Sequence, residues 1–249
     1  MTLKLLSYNI RFGGRERESQ LAEVIKAIAP DLVVFQEATD PRVIEGLSVK
    51  TGMAHWAAQR KHSIAYLSRL KIAHHQWHYP AGSKHSFLEI VPAEHDLRIF
   101  GLHLTARFSK WSERRRAREI HALLAGIQQH QHGFHVLLGD FNTLAPGELL
   151  DTQRMPAWIR ALIWISGRDI QRDTIQVMLD AHYLDGYRHL YPDDKGYTFP
   201  TWDPHLRLDY VFLPAAHAQR LASCQVIRQP ETVAQASDHF PLLAHLDVA

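Results

Sequence analysis

The chain has 249 residues, 46% of them apolar and 22% charged, a balance that fills one large core or two small ones and excludes a disordered, collagen-like or coiled-coil protein. With 28 Lys and Arg against 26 Asp and Glu the net charge is +2, which argues against a histone-like or polybasic binder and leaves room for a local basic patch.

In chain order, Leu3–Tyr8 reads as a strand and Glu18–Ala29 as an amphipathic helix. That helix gathers Leu21, Val24, Ile25 and Ile28 on one face and stops before Pro30. Strand-length apolar runs follow at Leu32–Phe35, Ile64–Leu67, Phe87–Val91 and Ile99–Leu104. A second helix is expected over Ser112–Gln129, with Ser112 as its N-cap and Ala117, Ile120, Leu124 and Ile127 at helical spacing. Further strands are expected at Phe134–Leu138, Leu208–Leu213 and Leu242–Leu246. Several of these runs are nearly continuous (LVVF, HVLLGD, DYVFL), as in strands buried on both faces. The segment 147–183 holds Trp158, Ile159, Leu162, Ile163 and Trp164 with few strand signals and reads as a mostly helical insertion. With no Gly/Ser run, Pro-rich tract or charge block to mark a linker, residues 1–249 read as one α/β (α+β) domain with helices outside its sheets.

The longest apolar stretch, Ala157–Ile165, is interrupted by Arg160, and no secretory pattern opens the chain, so a cytoplasmic protein without membrane insertion is expected. The single cysteine, Cys224, excludes an internal disulfide and Cys-pair zinc sites and fits a reducing compartment. The 18 histidines are scattered rather than grouped as HExxH or HxH.

Chemistry-bearing residues sit at the ends of the apolar runs, where an α/β scaffold presents its active groups. Asn9 ends the first, Gln36-Glu37 the second, His103 lies in GLHLT, and Asp140 and Asn142 lie in GDFN. Asp209 is an acid inside an apolar strand and needs a partner, and Asp238-His239 precede the last strand. Taken in order, SYNIR, DLVVFQE, GLHLT, GDFN, RLDYVFL and SDHFPL resemble the endonuclease/exonuclease/phosphatase superfamily of metal-dependent phosphoesterases, over nearly the whole chain.

The resemblance implies a four-layer αββα sandwich: two mainly antiparallel sheets face to face, helices outside, and the site at the sheet edge. It implies Glu37 as the primary ligand of a Mg²⁺ ion (Mn²⁺ as a substitute), with Asn9 beside it and Asp238 completing the metal neighbourhood. His239 is implied to contact the phosphate with Asp209 behind it, Asp140 to orient or deprotonate the attacking water, and Asn142 to donate to the transition state. Arg11, Arg207 and Trp202 are candidate substrate-binding residues; for Trp202, stacking on a base and a buried ring in a structural turn are equal readings. Two departures bear on the branch. Arg11 stands where abasic-site endonucleases usually carry an acid, and His103 stands where they carry Tyr. A His in this block is closer to pancreatic-type deoxyribonucleases and neutral sphingomyelinases. The Arg-rich stretch 107–119, with a local excess of +4 (six Lys or Arg, two Glu), is either a solvated helix face or a nucleic-acid or headgroup surface. The expected activity is hydrolysis of phosphate esters, as a phosphodiesterase acting on nucleic acid or a phospholipid headgroup. The alternatives are a phosphomonoesterase of the sugar- or inositol-phosphate type and a non-catalytic binding module of the same fold.

Overall fold

The computed structural model describes residues 1–81, 83–148 and 172–248, with 152–154, 157, 160, 161 and 164. Twelve strands form two six-stranded sheets among these residues. The first sheet runs in the order β11 (Leu221–Val226), β12 (Leu242–Asp247), β1 (Thr2–Asn9), β2 (Leu32–Gln36), β4 (Ile64–Ser68) and β3 (His55–Ala57). The second runs β5 (Ile72–His78), β6 (Phe87–Pro92), β7 (Arg98–His103), β8 (His135–Asp140), β10 (Asp209–Pro214) and β9 (Tyr183–Asp185). Each sheet has a single parallel pair, β1–β2 in one and β7–β8 in the other, and its other pairs are antiparallel.

The sheets face each other through one apolar layer in which Leu5, Val34 and Ile64 of the first meet Ile99, Leu138 and Val211 of the second. Helices α1 (Glu18–Ile28) and α2 (Pro41–Thr51), with the short α6 (Thr232–Ala236), cover the outer face of the first sheet through Leu21, Ile25, Ile44, Leu47 and Val233. Helices α3 (Lys110–Gly126) and α4 (Asp173–Asp180) cover the second through Ile120, Leu123, Ile175 and Met178. A further helix, α5 (Gly186–Leu190), links β9 to the loop before β10. This is the expected sandwich, and the continuous apolar runs are the strands covered on both sides.

The eight expected strands and both expected helices form, with ends shifted by at most three residues. Helix α3 starts earlier than its apolar spacing suggested. Ser109 rather than Ser112 is its N-cap, accepting from the Ser112 N–H at 3.1 Å; the first turn, with Trp111 exposed, carries no apolar periodicity to mark it. Part of the expected insertion, including Trp158, Ile159, Leu162 and Ile163, lies outside the described residues. Within it a 3₁₀ turn at Thr152–Arg154 and helix α4 are described. Among the described residues no helix is long and apolar enough to cross a membrane.

Register positions the chemistry. In the parallel pair β7–β8, His103 lies opposite Asp140, and in β8–β10 Asp140 lies opposite Asp209, so three of the candidate side chains stand abreast on the end of one sheet. In the other sheet Asn9 lies opposite Gln36, with Glu37 next along the chain. Both parallel pairs therefore end at the same rim of the sandwich, where the segment Ser237–His239 enters β12. The approach of β7 to β8 requires Gly139: its φ is 147°, and a Cβ there would lie 1.9 Å from the Leu102 carbonyl oxygen.

Candidate active site

At that rim, Glu37, His103, Asp140, Asn142, Asp238 and His239 line one cavity of about 300 Å³, with Ala106, Arg107, Phe108, Phe199 and Leu208. Asp140 is its centre. One carboxylate oxygen accepts the Asn142 backbone N–H at 2.8 Å. The other accepts Asn9 Nδ2 at 3.0 Å and lies 3.7 Å from His103 Nε2 and 3.9 Å from His239 Nε2. His239 donates from Nδ1 to Asp209 at 2.8 Å, which leaves Nε2 directed toward Asp140 and the cavity. Asp209, the acid inside an apolar strand, thus finds its partner in His239. The Phe199 ring packs 4.8 Å from the His239 ring, and Ser237 Oγ donates to the Asn9 carbonyl while accepting the His239 N–H.

Electrostatics separate these groups. Burial works against a charge on His239, but the Asp209 carboxylate at its Nδ1 prevails and holds the imidazole up to about 10. Burial pushes the Asp140 carboxyl up to about 7, against the pull of the His239 cation and with help from the neighbouring Asp209. Burial pushes the His103 imidazole down to about 4. Near neutral pH the site therefore combines a fixed cation, a neutral imidazole and a carboxyl poised to gain or lose a proton, the divergence that acid–base chemistry uses.

Glu37 accepts the Phe12 N–H at 2.6 Å and Asn9 Nδ2 at 3.4 Å. Asn9 Oδ1 accepts the Arg11 N–H, which leaves one of its lone pairs for a ligand. Asp238 is 3.3 Å from Arg11 Nε. Two carboxylates and an amide oxygen beside an open cavity are the hard donors that Mg²⁺ takes when water and substrate complete its sphere. Among the described residues no group of three or more His, Cys, Asp or Glu is arranged to hold a metal ion. Backbone strain concentrates here: Arg11, Phe12, Glu37 and Asn142 are all left-handed, with φ between 48° and 57°.

A family model described as Endonuclease/Exonuclease/phosphatase family matches residues 6–239. The chain belongs to this family. Solved structures share the fold of this endonuclease/exonuclease/phosphatase member at low identity. A 3′ phosphatase, NExo, from Neisseria bound to a product DNA hairpin is 19% identical, with a TM-score of 0.75 over 98% of this chain and 99% of that one. An AP endonuclease from Archaeoglobus fulgidus is 17% identical, with a TM-score of 0.75 over 99% and 100%. A humanized D. rerio TDP2 is 16% identical, with a TM-score of 0.70 over 99% of each. No curated protein matches the chain by sequence.

Eight of the expected residues, Asn9, Glu37, His103, Asp140, Asn142, Asp209, Asp238 and His239, lie together at this rim. Arg11 joins them through Asp238, and Trp202 stands outside the cavity, its ring 6.3 Å from Phe199. Arg207 does not reach the site. It is buried, paired with Glu148 and Asp185 at 2.7 Å each, and lies 4.3 Å over the Tyr210 ring, because a strand-entry arginine beside two acids is drawn inward. The basic stretch also divides. Arg116 is buried against Glu113 and the carbonyls of Thr105 and Arg107, and Glu113 and Glu119 are buried with it. The exposed face keeps Arg107, Arg114, Arg115 and Arg118. Three contributors had no separate sequence signal: Phe12, whose N–H holds Glu37; Phe199, which packs on His239; and His85, whose ring lies 6.1 Å from His103.

Proposed function

We propose that this protein is a divalent-metal-dependent phosphodiesterase whose reaction centre is the Asp140 cavity. The observation that supports this most strongly is the chain Asp209–His239···Asp140···Asn9–Glu37, which links a cationic imidazole to a solvent-facing carboxylate across both sheets. Glu37 and Asp238, with the free lone pair of Asn9, are the residues that would hold Mg²⁺ or Mn²⁺. Bound there, the cation would neutralise the phosphoryl oxygens and stabilise the leaving oxyanion.

The protein side chains supply the rest. Asp140, with a carboxyl that changes charge near neutral pH, orients the attacking water and takes its proton. His239 presents a cationic Nε2–H to a phosphoryl oxygen, and Asp209 keeps that charge and orientation. Asn142 spends one amide hydrogen on the Leu104 carbonyl at 3.1 Å and keeps the other for the transition state. His103, neutral and 3.7 Å from Asp140, contacts the substrate as an uncharged donor. His103 and Arg11 also favour a branch nearer to pancreatic-type deoxyribonucleases and neutral sphingomyelinases than to abasic-site endonucleases.

The test is ³¹P NMR of a dinucleoside monophosphate incubated with the protein and Mg²⁺. Conversion of the diester signal to a monoester signal is expected. If the diester persists while a 3′-phosphorylated nucleotide releases inorganic phosphate, the protein is a phosphomonoesterase. That second reading draws on the fold shared with the Neisseria 3′ phosphatase.

A further inference from the structure

Beside the cavity stand two aromatic rings that the fold leaves in solvent. Phe12 is 75% exposed and Trp202 67% exposed. Each is one contact from the cavity wall: the Phe12 N–H is bonded to Glu37, and the Trp202 ring is 6.3 Å from that of Phe199. The guanidinium of Arg11 connects them, 5.4 Å from the Phe12 ring centre and 6.0 Å from that of Trp202. Beyond the Asp238 ion pair, that guanidinium makes no hydrogen bond to protein among the described residues. Consecutive left-handed residues, Arg11 and Phe12, both at φ 48°, hold this arrangement, a conformation that costs free energy in any non-glycine residue. Packing does not explain a strained segment that turns an aromatic ring outward.

We propose that Arg11, Phe12 and Trp202 form a nucleotide subsite that takes an unpaired base of a nucleic-acid strand whose phosphate enters the Asp140 cavity. Any base offers a π face to a ring, and a guanidinium serves the adjoining phosphate through its free N–H groups while its flat face rests on an aromatic. The base must be unstacked from its neighbours, so a single strand or frayed end is preferred over a closed duplex. A lipid surface is less well matched, because the two rings flank a cation instead of joining into one apolar patch. This subsite rests on the phosphodiesterase reading for its reaction but not for its binding.

The experiment is a binding cycle in EDTA, which removes the proposed cation, read by fluorescence anisotropy. Four combinations are compared: wild type and Phe12→Leu/Trp202→Leu, each with a labelled oligothymidylate and with the same backbone carrying tetrahydrofuran abasic units. Leucine keeps apolar bulk at both exposed positions and removes only the stacking faces. Loss of the bases should weaken wild-type binding about tenfold or more, the scale of one or two base–aromatic stacks. In the double variant, loss of the bases should change binding less than twofold. An equal effect of base removal in both proteins would overturn the subsite. So would binding to phosphatidylglycerol vesicles that survives in the leucine variant while neither oligonucleotide binds. Absence of hydrolysis in the ³¹P experiment beside a positive binding cycle would instead refute the reaction and leave the subsite standing.

Discussion

Asp209→Asn isolates the electrostatic core of the site. Asparagine is nearly isosteric and can still accept from His239 Nδ1, so the 2.8 Å contact survives and only the charge goes. Without that charge, burial is opposed mainly by Asp140, and the imidazole falls from about 10 toward its ordinary value near 6.5. At pH 8 an imidazole with that ordinary value is about 3% cationic, so a mechanism needing the cation loses about 30-fold in kcat/KM. At pH 6 the same imidazole is about three-quarters cationic, and the deficit shrinks below about twofold. The assay is kcat/KM on a dinucleotide diester from pH 5.5 to 9 for both proteins, with ¹⁵N NMR of the His239 ring at pH 8. A deficit that stays constant between pH 6 and 8, or a variant ring still cationic at pH 8, would refute the reasoning.

Three further outcomes follow from the same contacts. Arg207→Met leaves the buried Asp185 without its cation, while the half-buried Glu148 keeps Arg188 at 3.0 Å, and should cost about 3 kcal/mol in urea unfolding at pH 7.5; a loss below about 1 kcal/mol would show that the network is not needed. Folded His103 binds its proton only near pH 4 whereas the unfolded chain binds one near 6.5, so its contribution to stability is complete above pH 6.5 and falls as the pH drops toward 4. The full fall is about 3 kcal/mol, an upper bound because the side chain is 14% exposed, and thermal melts of His103→Asn at pH 7 and 4.5 should show a smaller acid shift than wild type. Mg²⁺ at a hundred times its Kd should stabilise the wild type by about 2.7 kcal/mol and Glu37→Gln by much less; equal shifts in melting temperature would place the ion elsewhere.

The site was legible to the extent that its residues end strands. Asn9, Glu37, Asp140 and Asp209 follow or interrupt apolar runs, and their convergence is a consequence of strand register. Arg207 lies in the same kind of block and turned inward, because nothing in its neighbourhood reveals that Glu148 and Asp185, far away in sequence, come to meet it. The edge strand β5 was also hidden: IAHHQWH is largely solvent-exposed and lacks the apolar continuity that marks the central strands. Strand β11, with only Leu221 and Cys224 buried, gives a similarly weak pattern. Phe12 was invisible for a different reason. An exposed ring on a left-handed backbone has no periodicity to betray it, and its meaning comes from the Glu37 carboxylate that its N–H holds.

The most direct test of the central claim is turnover of bis-p-nitrophenyl phosphate by the wild type and by Asp140→Asn, each with Mg²⁺ and with EDTA. Release of p-nitrophenol by the wild type in Mg²⁺, its abolition by EDTA, and a fall of more than tenfold in Asp140→Asn are the predicted results. Turnover that survives EDTA, or an Asp140→Asn enzyme within tenfold of the wild type, would contradict a metal-dependent reaction centred on Asp140.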